Sequence, residues 1–195
     1  EYNGPDSMHW DFGIDRPGKD CWGVIRRKVK NQYGEDVESS HYPLKTINTI
    51  EGLEEYKWPK LEWFDFKSIK KQIERIEEDN EYWIGLKFAG SVFEYSWYMR
   101  GLEQFMIDFI LNPTYAHKLM EKVFEFWINF TIETLKAAEG RIDMVCLGDD
   151  VGGQNAMILS PELWRKMIKP WFKKYFKTYK KRNVKTWYHS CGGIE

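Results

Sequence analysis

The chain has 195 residues, 43% hydrophobic and 30% charged, a balance that fits a folded domain and excludes a disordered one. Its formal net charge of -1 gives no general basis for nucleic-acid or membrane binding. No apolar run approaches the ~20 residues that a membrane span needs, so no membrane partner is expected.

Charge is unevenly placed. Between Ser160 and Lys185 there are ten Lys or Arg and one acid, Glu162, while residues 51–81 lean acidic. Solvated helix faces account for both, and no nucleic-acid site is inferred. Ten Trp among 17% aromatic residues predict broad packing surfaces or an aromatic-lined pocket. The three cysteines, Cys21, Cys146 and Cys191, are far apart and odd in number. That argues against a disulfide framework and for a reducing, cytoplasmic compartment. No secretory signal is visible. The chain opens on Glu1 and not Met, so preceding residues are expected.

The first sixty residues read as an irregular part, with turn signals at Asn3-Gly4-Pro5, Arg16-Pro17-Gly18 and Tyr33-Gly34. A strand is expected over Trp22 to Val29, with a hairpin partner near Val37 to Tyr42. A short helix from Ile50 to Tyr56 stops before Trp58-Pro59, because the residue before proline avoids the helical region. From residue 61 onward the pattern is one of βα units. Phe66, Ile69, Ile73 and Ile76 mark a helix face. Tyr82 to Ala89 is strand-like and closed by Gly90. Helices follow over Phe93 to Arg100, Leu102 to Leu111 and Thr114 to Ala138, the last with Leu119, Val123, Phe126 and Phe130 as its buried stripe. Gly140 stops it.

Ile142 to Leu147 is the next strand, and Gly148 to Ser160 a Gly-rich loop. Ser160-Pro161-Glu162 is an N-cap with proline at the first helical position. The helix that follows carries Leu163, Met167, Trp171, Tyr175 and Tyr179. Pro170 should kink or split it, having no N–H to donate. Val184 to Tyr188 is a further strand. No repeat or linker divides the chain, which reads as one α/β domain. Alternating strands and helices argue for a parallel sheet. Periodicity alone leaves a doubly wound sheet and part of a barrel equally open.

In parallel α/β folds, sites gather where strands end. Three loops qualify. In H-S-C-G-G, His189 and Cys191 are two apart on an extended chain, so both can face one ion, and zinc accepts nitrogen and sulfur. Spacing alone also fits a packed thiol beside a hydrogen-bonded histidine. In G-D-D-V-G-G-Q-N, Asp149 and Asp150 leave the strand in opposite directions. One can bind a cation, accept a proton or orient substrate while the other caps backbone N–H groups. Gln154 adds a neutral hydrogen-bonding pair. In the third loop Glu94 is either a desolvated acid or an ordinary first-turn glutamate. Arg100 either binds a carboxylate or phosphate or forms a structural salt bridge. His9, His41 and His117 have no partner at ligand spacing, and Cys146 reads as a packed thiol.

The stretches Trp83 to Gly101 (W-I-G-L-K-F-A-G-S-V-F-E with Y-M-R-G), Gly148 to Pro170 and Tyr188 to Gly193 (Y-H-S-C-G-G) resemble the uroporphyrinogen decarboxylase superfamily. H-Y-P-L at His41 to Leu44, and the long helix ahead of the Asp-Asp loop, fit the same pattern. The resemblance implies a (β/α)8 TIM barrel. A closed one takes ~250 residues, so only a partial barrel is expected here.

The superfamily's two chemistries imply different sites. Its cobamide-dependent methyltransferases use zinc, held by an H-x-C pair and a later Cys, to activate a thiol that takes a methyl group from a corrinoid. By that resemblance His189 and Cys191 are zinc ligands, and the further Cys would lie beyond Glu195. Asp149, Asp150 and Glu94 are then candidate catalytic acids, and Gln154 and Arg100 candidate substrate-binding groups. The partners implied are a small-molecule substrate and a corrinoid protein. The cofactor-free decarboxylases act on carboxylated tetrapyrroles. Their arginine-rich N-terminal motif is missing, and Arg100 is the one basic candidate for such a substrate. A non-catalytic protein that binds a corrinoid or tetrapyrrole is the third possibility.

Overall fold

The computed structural model describes residues 3–4, 16–87 and 89–194. His9 and Pro5 of the first turn signal lie outside them. The described chain forms two compact units, one of residues 65–94 and 120–195, the other of residues 2–64 and 95–119.

In the second unit, β1 (Gly18–Lys19), β2 (Ile25–Asn31) and β3 (Gly34–His41) form an antiparallel sheet in that order. It is more regular than the density of turn signals suggests. The two residues Gln32 and Tyr33 close the β2–β3 hairpin, where Asn31 pairs with Gly34. Gly34 has φ +137°, a conformation that favours glycine. α1 (Ile50–Glu55) is capped by Thr49, whose Oγ1 accepts from the Gly52 N–H. A single 3₁₀ turn covers Leu61–Trp63. The core of this unit holds Trp22, Val24, Leu44, Leu53, Met99, Phe105 and Leu119. A buried ion pair, Arg26 to Asp20 at 2.6 Å, anchors the base of the hairpin.

In the first unit the sheet is parallel. β4 (Gly85–Leu86), β5 (Met144–Gly148) and β6 (Lys185–His189) lie in that order. β4 is shorter than the strand expected over Tyr82 to Ala89. The Ile84 N–H goes to the Asp143 carboxylate and not to a strand carbonyl, the Ile84 carbonyl accepts from the Asp143 and Met144 N–H groups, and the Ala89 N–H donates to Cys146 O. The helices are α2 (Ser68–Ile76), α3 (Phe93–Arg100), α4 (Leu102–Leu111), α5 (Pro113–Ala137), α6 (Pro161–Met167) and α7 (Lys169–Lys180). α4 belongs to the second unit, and α3 and α5 run from one unit into the other. Ser160 caps α6 through the Leu163 N–H. The helix breaks at Ile168, and Pro170 falls in the first turn of α7, where no N–H is needed.

One side of β5, Val145 and Leu147, is fully buried. Tyr175 and Tyr179 of α7 are fully buried too. The Tyr179 hydroxyl and the Thr131 hydroxyl of α5 both donate to Ala89 O, at 2.6 and 3.0 Å. Phe124 of α5 meets Tyr175 at 4.6 Å between ring centroids. Gly90 lies so close to this packing that a Cβ there would be 2.7 Å from Tyr175 and 2.8 Å from Leu147. Ile73 packs with Ile84, Ala138 and Ile142, while Ile76 is exposed. Neither sheet closes on itself among the described residues. No described helix is long and apolar enough to cross a membrane.

Candidate metal centre

The site is built where β5 and β6 end. β5 stops at Gly148, level with His189 on β6, so the Asp-Asp loop and the H-S-C-G-G loop leave the sheet side by side. Alternation along an extended chain then separates the two aspartates.

Asp149 turns inward and is fully buried. Its carboxylate accepts from the Ser91 hydroxyl at 3.0 Å and from the N–H groups of Val92, Phe93 and Glu94 at 2.9, 2.8 and 2.7 Å. These N–H groups open α3 and have no partner within the helix. Val92 has no side-chain oxygen to serve as cap, and an aspartate from the adjacent strand does so instead. Burial pushes the Asp149 carboxyl up to about 6, and the four donors pull against it. Of the two uses open to this aspartate, the geometry displays capping.

Asp150 turns the other way. Its Oδ1 accepts the Cys191 N–H at 2.7 Å. His189 Nε2 lies 3.2 Å from Cys191 Sγ and 3.9 Å from Asp150 Oδ1. One ligand atom from each of Asp150, His189 and Cys191 lies within 4.8 Å of the others. The sequence pattern pairs His189 with Cys191 but leaves the choice between the two aspartates open. The third donor is recognisable only once strand register sets the loops abreast. Asp150 also holds the Cys191 thiol above its ordinary range, first by hydrogen bonding and then by its charge.

Glycines let the loops meet. Gly193 N–H donates to Gly153 O at 2.8 Å and Gly153 N–H to Ala156 O at 2.7 Å. Gly192 has φ +79°, and a Cβ on it would run into the backbone of Gly152 and Gly153. Ser190 Oγ accepts the Val151 N–H at 3.2 Å and adds a further tie.

The remaining candidates are placed differently. Glu94 is half-buried at the start of α3, and its charge reaches Cys191 and Tyr188. Gln154 is exposed at the tip of the turn, and no hydrogen bond among the described residues ties it to the cluster. Arg100 is a correction. It is only 2% exposed and belongs to the second unit. Its donors go to Asp108 at 2.7 Å, to the carbonyls of Leu44 and Ile47 at 2.7 and 2.9 Å, and to Asn48 Oδ1 at 2.9 Å. These bonds give Arg100 a structural ion pair in place of substrate binding.

The donors fit zinc in kind and in spacing. Zinc takes imidazole nitrogen, thiolate sulfur and carboxylate oxygen at ~2.0–2.3 Å, so neighbouring donors in a tetrahedron stand roughly 3.5 Å apart. The separations of 3.2 and 3.9 Å bracket that value.

An α/β unit with histidine, cysteine and aspartate at the ends of parallel strands is the class of protein these observations define. The family model described as uroporphyrinogen decarboxylase (URO-D) matches residues 28–195, and the chain belongs to that family. Among solved structures, a methyltransferase from Methanosarcina mazei matches with a TM-score of 0.56 at 17% sequence identity, over 89% of this chain and 48% of that one. Identity this low shows the fold alone, and this chain spans about half of that methyltransferase's length. No curated protein matches.

Proposed function

We propose that this chain is part of a (β/α)8-barrel methyltransferase that uses zinc and moves a methyl group from a corrinoid to a thiol. The observation that carries this is the convergence of Asp150, His189 and Cys191 within 4.8 Å at the strand ends. Membership of the uroporphyrinogen decarboxylase family supports the barrel, and the M. mazei neighbour's description as a methyltransferase supports the reaction class. His189 and Cys191 would hold the ion, with Asp150 as third donor. Zinc bound there would keep a thiol deprotonated near neutral pH, which is what a nucleophilic sulfur needs.

The chain's own residues have separate tasks. Asp149 fixes the start of α3 to the end of β5 and so holds the loop in place. Asp150 binds the Cys191 backbone and keeps the two loops in register. Glu94 supplies negative charge at the rim. The small-molecule substrate would enter over the strand ends. A corrinoid protein would present the methyl group, and a cytoplasmic setting suits free thiols.

Cofactor-free decarboxylation of a tetrapyrrole has less support. It makes no use of a clustered histidine and cysteine, and Arg100, the basic group proposed for such a substrate, is bound up in the protein.

The test is methyl transfer from methylcobalamin to a small thiol, followed by the colour change of the corrinoid. Transfer that requires zinc and is lost in Cys191→Ala is the expected result. Transfer indifferent to chelator and to Cys191→Ala would exclude the proposal.

A further inference from the structure

A second recess lies on the side of β6 opposite His189. Alternation along the strand turns Tyr188 away from the metal cluster, and its ring packs on Phe172 of α7 at 4.8 Å between centroids. The turn after Asp150 folds back on itself, with Ile158 N–H donating to Val151 O at 2.8 Å and Gly152 bridged to Met157. Val151 and Met157 of this turn, Tyr188, and residues of α6 and α7 line a groove of about 500 Å³.

The lining has two halves. One is apolar: Val151 and Phe172 are buried, Trp164 and Tyr188 half-buried, and Phe176 and Ile194 are 37% and 52% exposed. Apolar surface left open in one recess marks a ligand groove, and the volume falls in the range of small-molecule sites. The other half is cationic. Arg165, Lys169 and Lys173 line the same groove, and among the described residues no carboxylate does. None of the three forms an ion pair with a described residue. Lys169 Nζ stands 5.8 Å from the centre of the Trp164 ring, which joins the two halves. Lys169 and Lys173 are one turn apart on α7, where like charges repel. An anion in the groove relieves that repulsion, and Arg165 adds a guanidinium suited to a carboxylate.

We propose that this groove binds a small amphipathic anion, a carboxylate or sulfonate with an apolar body. The body lies against Trp164, Phe172 and Tyr188, and the anionic group points to Arg165, Lys169 and Lys173. A polyanion would leave the aromatic half uncovered, and a neutral hydrocarbon would leave the cations unpaired. The site is separate from the metal cluster and does not rest on the function proposed above.

The test is calorimetric titration of the complete protein with three probes that share one chain: decanoate, decanol and decyltrimethylammonium, each below its micellar concentration. Decanoate should bind about tenfold tighter than decanol, and the cationic probe should bind most weakly. Lys169→Gln combined with Lys173→Gln should bring decanoate to the level of decanol, and Phe176→Ser should weaken both. Circular dichroism of each variant reports its fold. Equal affinity for decanoate and decanol, or a preference that survives the double substitution, overturns the site. Binding of none of the probes overturns it too, and would mean that another part of the protein covers the groove. Decanoate binding that a zinc chelator abolishes belongs to the metal cluster and counts against the groove. Capture of the protein by phosphatidylglycerol vesicles without binding of monomeric decanoate overturns it in favour of a membrane surface.

Discussion

The carbonyl oxygen of Cys191 occupies the space into which a side chain on Gly152 would project. A Cβ there would also lie 2.9 Å from Gly192 C and from Gly193 O. This backbone-to-backbone approach puts the Asp150 carboxylate on the Cys191 N–H. Gly152→Ala should therefore push the loops apart and weaken zinc binding at least tenfold, with helix content by circular dichroism unchanged. Parent-like zinc affinity in that variant would mean that the loop contact does not position the donors.

Asp149 serves the fold. Asp149→Ala strands four donors in buried surroundings, at about 1–3 kcal/mol for each that water cannot reach. A loss of at least about 3 kcal/mol in urea unfolding is expected. A variant of parent stability would contradict the capping role.

The same carboxyl predicts a pH effect. Its ordinary value is 3.8, and burial raises it to about 6 in the fold. Between those values the folded chain binds the proton more tightly than the unfolded one. The contribution is full below about pH 4 and lost as pH rises through about 6. Unfolding free energies measured for the zinc-free parent and Asp149→Asn should thus shift in favour of the variant between pH 4 and pH 7. A difference that stays flat with pH would rule out the raised carboxyl.

Arg100 anchors the other unit through Asp108, Asn48 and the carbonyls of Leu44, Lys45 and Ile47. Arg100→Met leaves Asp108 buried without its cation, which typically costs about 3–5 kcal/mol. Stability should fall by that order while zinc uptake stays at the parent level. Loss of thiol affinity with no change in stability would restore a substrate-binding role.

Much of this was legible in the residues. α3 and α4 fall on the stretches Phe93 to Arg100 and Leu102 to Leu111 expected for them, and Pro170 breaks the helix as its missing N–H requires. The His189–Cys191 pair follows from alternation on an extended chain. Other features depend on partners far away in sequence. At the start of β4 the Ile84 N–H goes to a side chain, Asp143, 59 positions later. Arg100 is structural because carbonyls more than fifty positions earlier converge on it. Asp149 and Asp150 are identical residues in adjacent positions. Only the strand register, which sets Gly148 against His189, decides which caps a helix and which faces His189 and Cys191.

The most direct test of the metal centre is zinc analysis with X-ray absorption on purified protein. The account predicts one zinc per chain, with sulfur at ~2.3 Å and nitrogen or oxygen at ~2.0–2.2 Å in its shell. Zinc should be lost in Cys191→Ala and His189→Ala and weakened in Asp150→Ala. Protein without zinc after growth in zinc, or zinc retained in the Cys191→Ala, His189→Ala double variant, would contradict it.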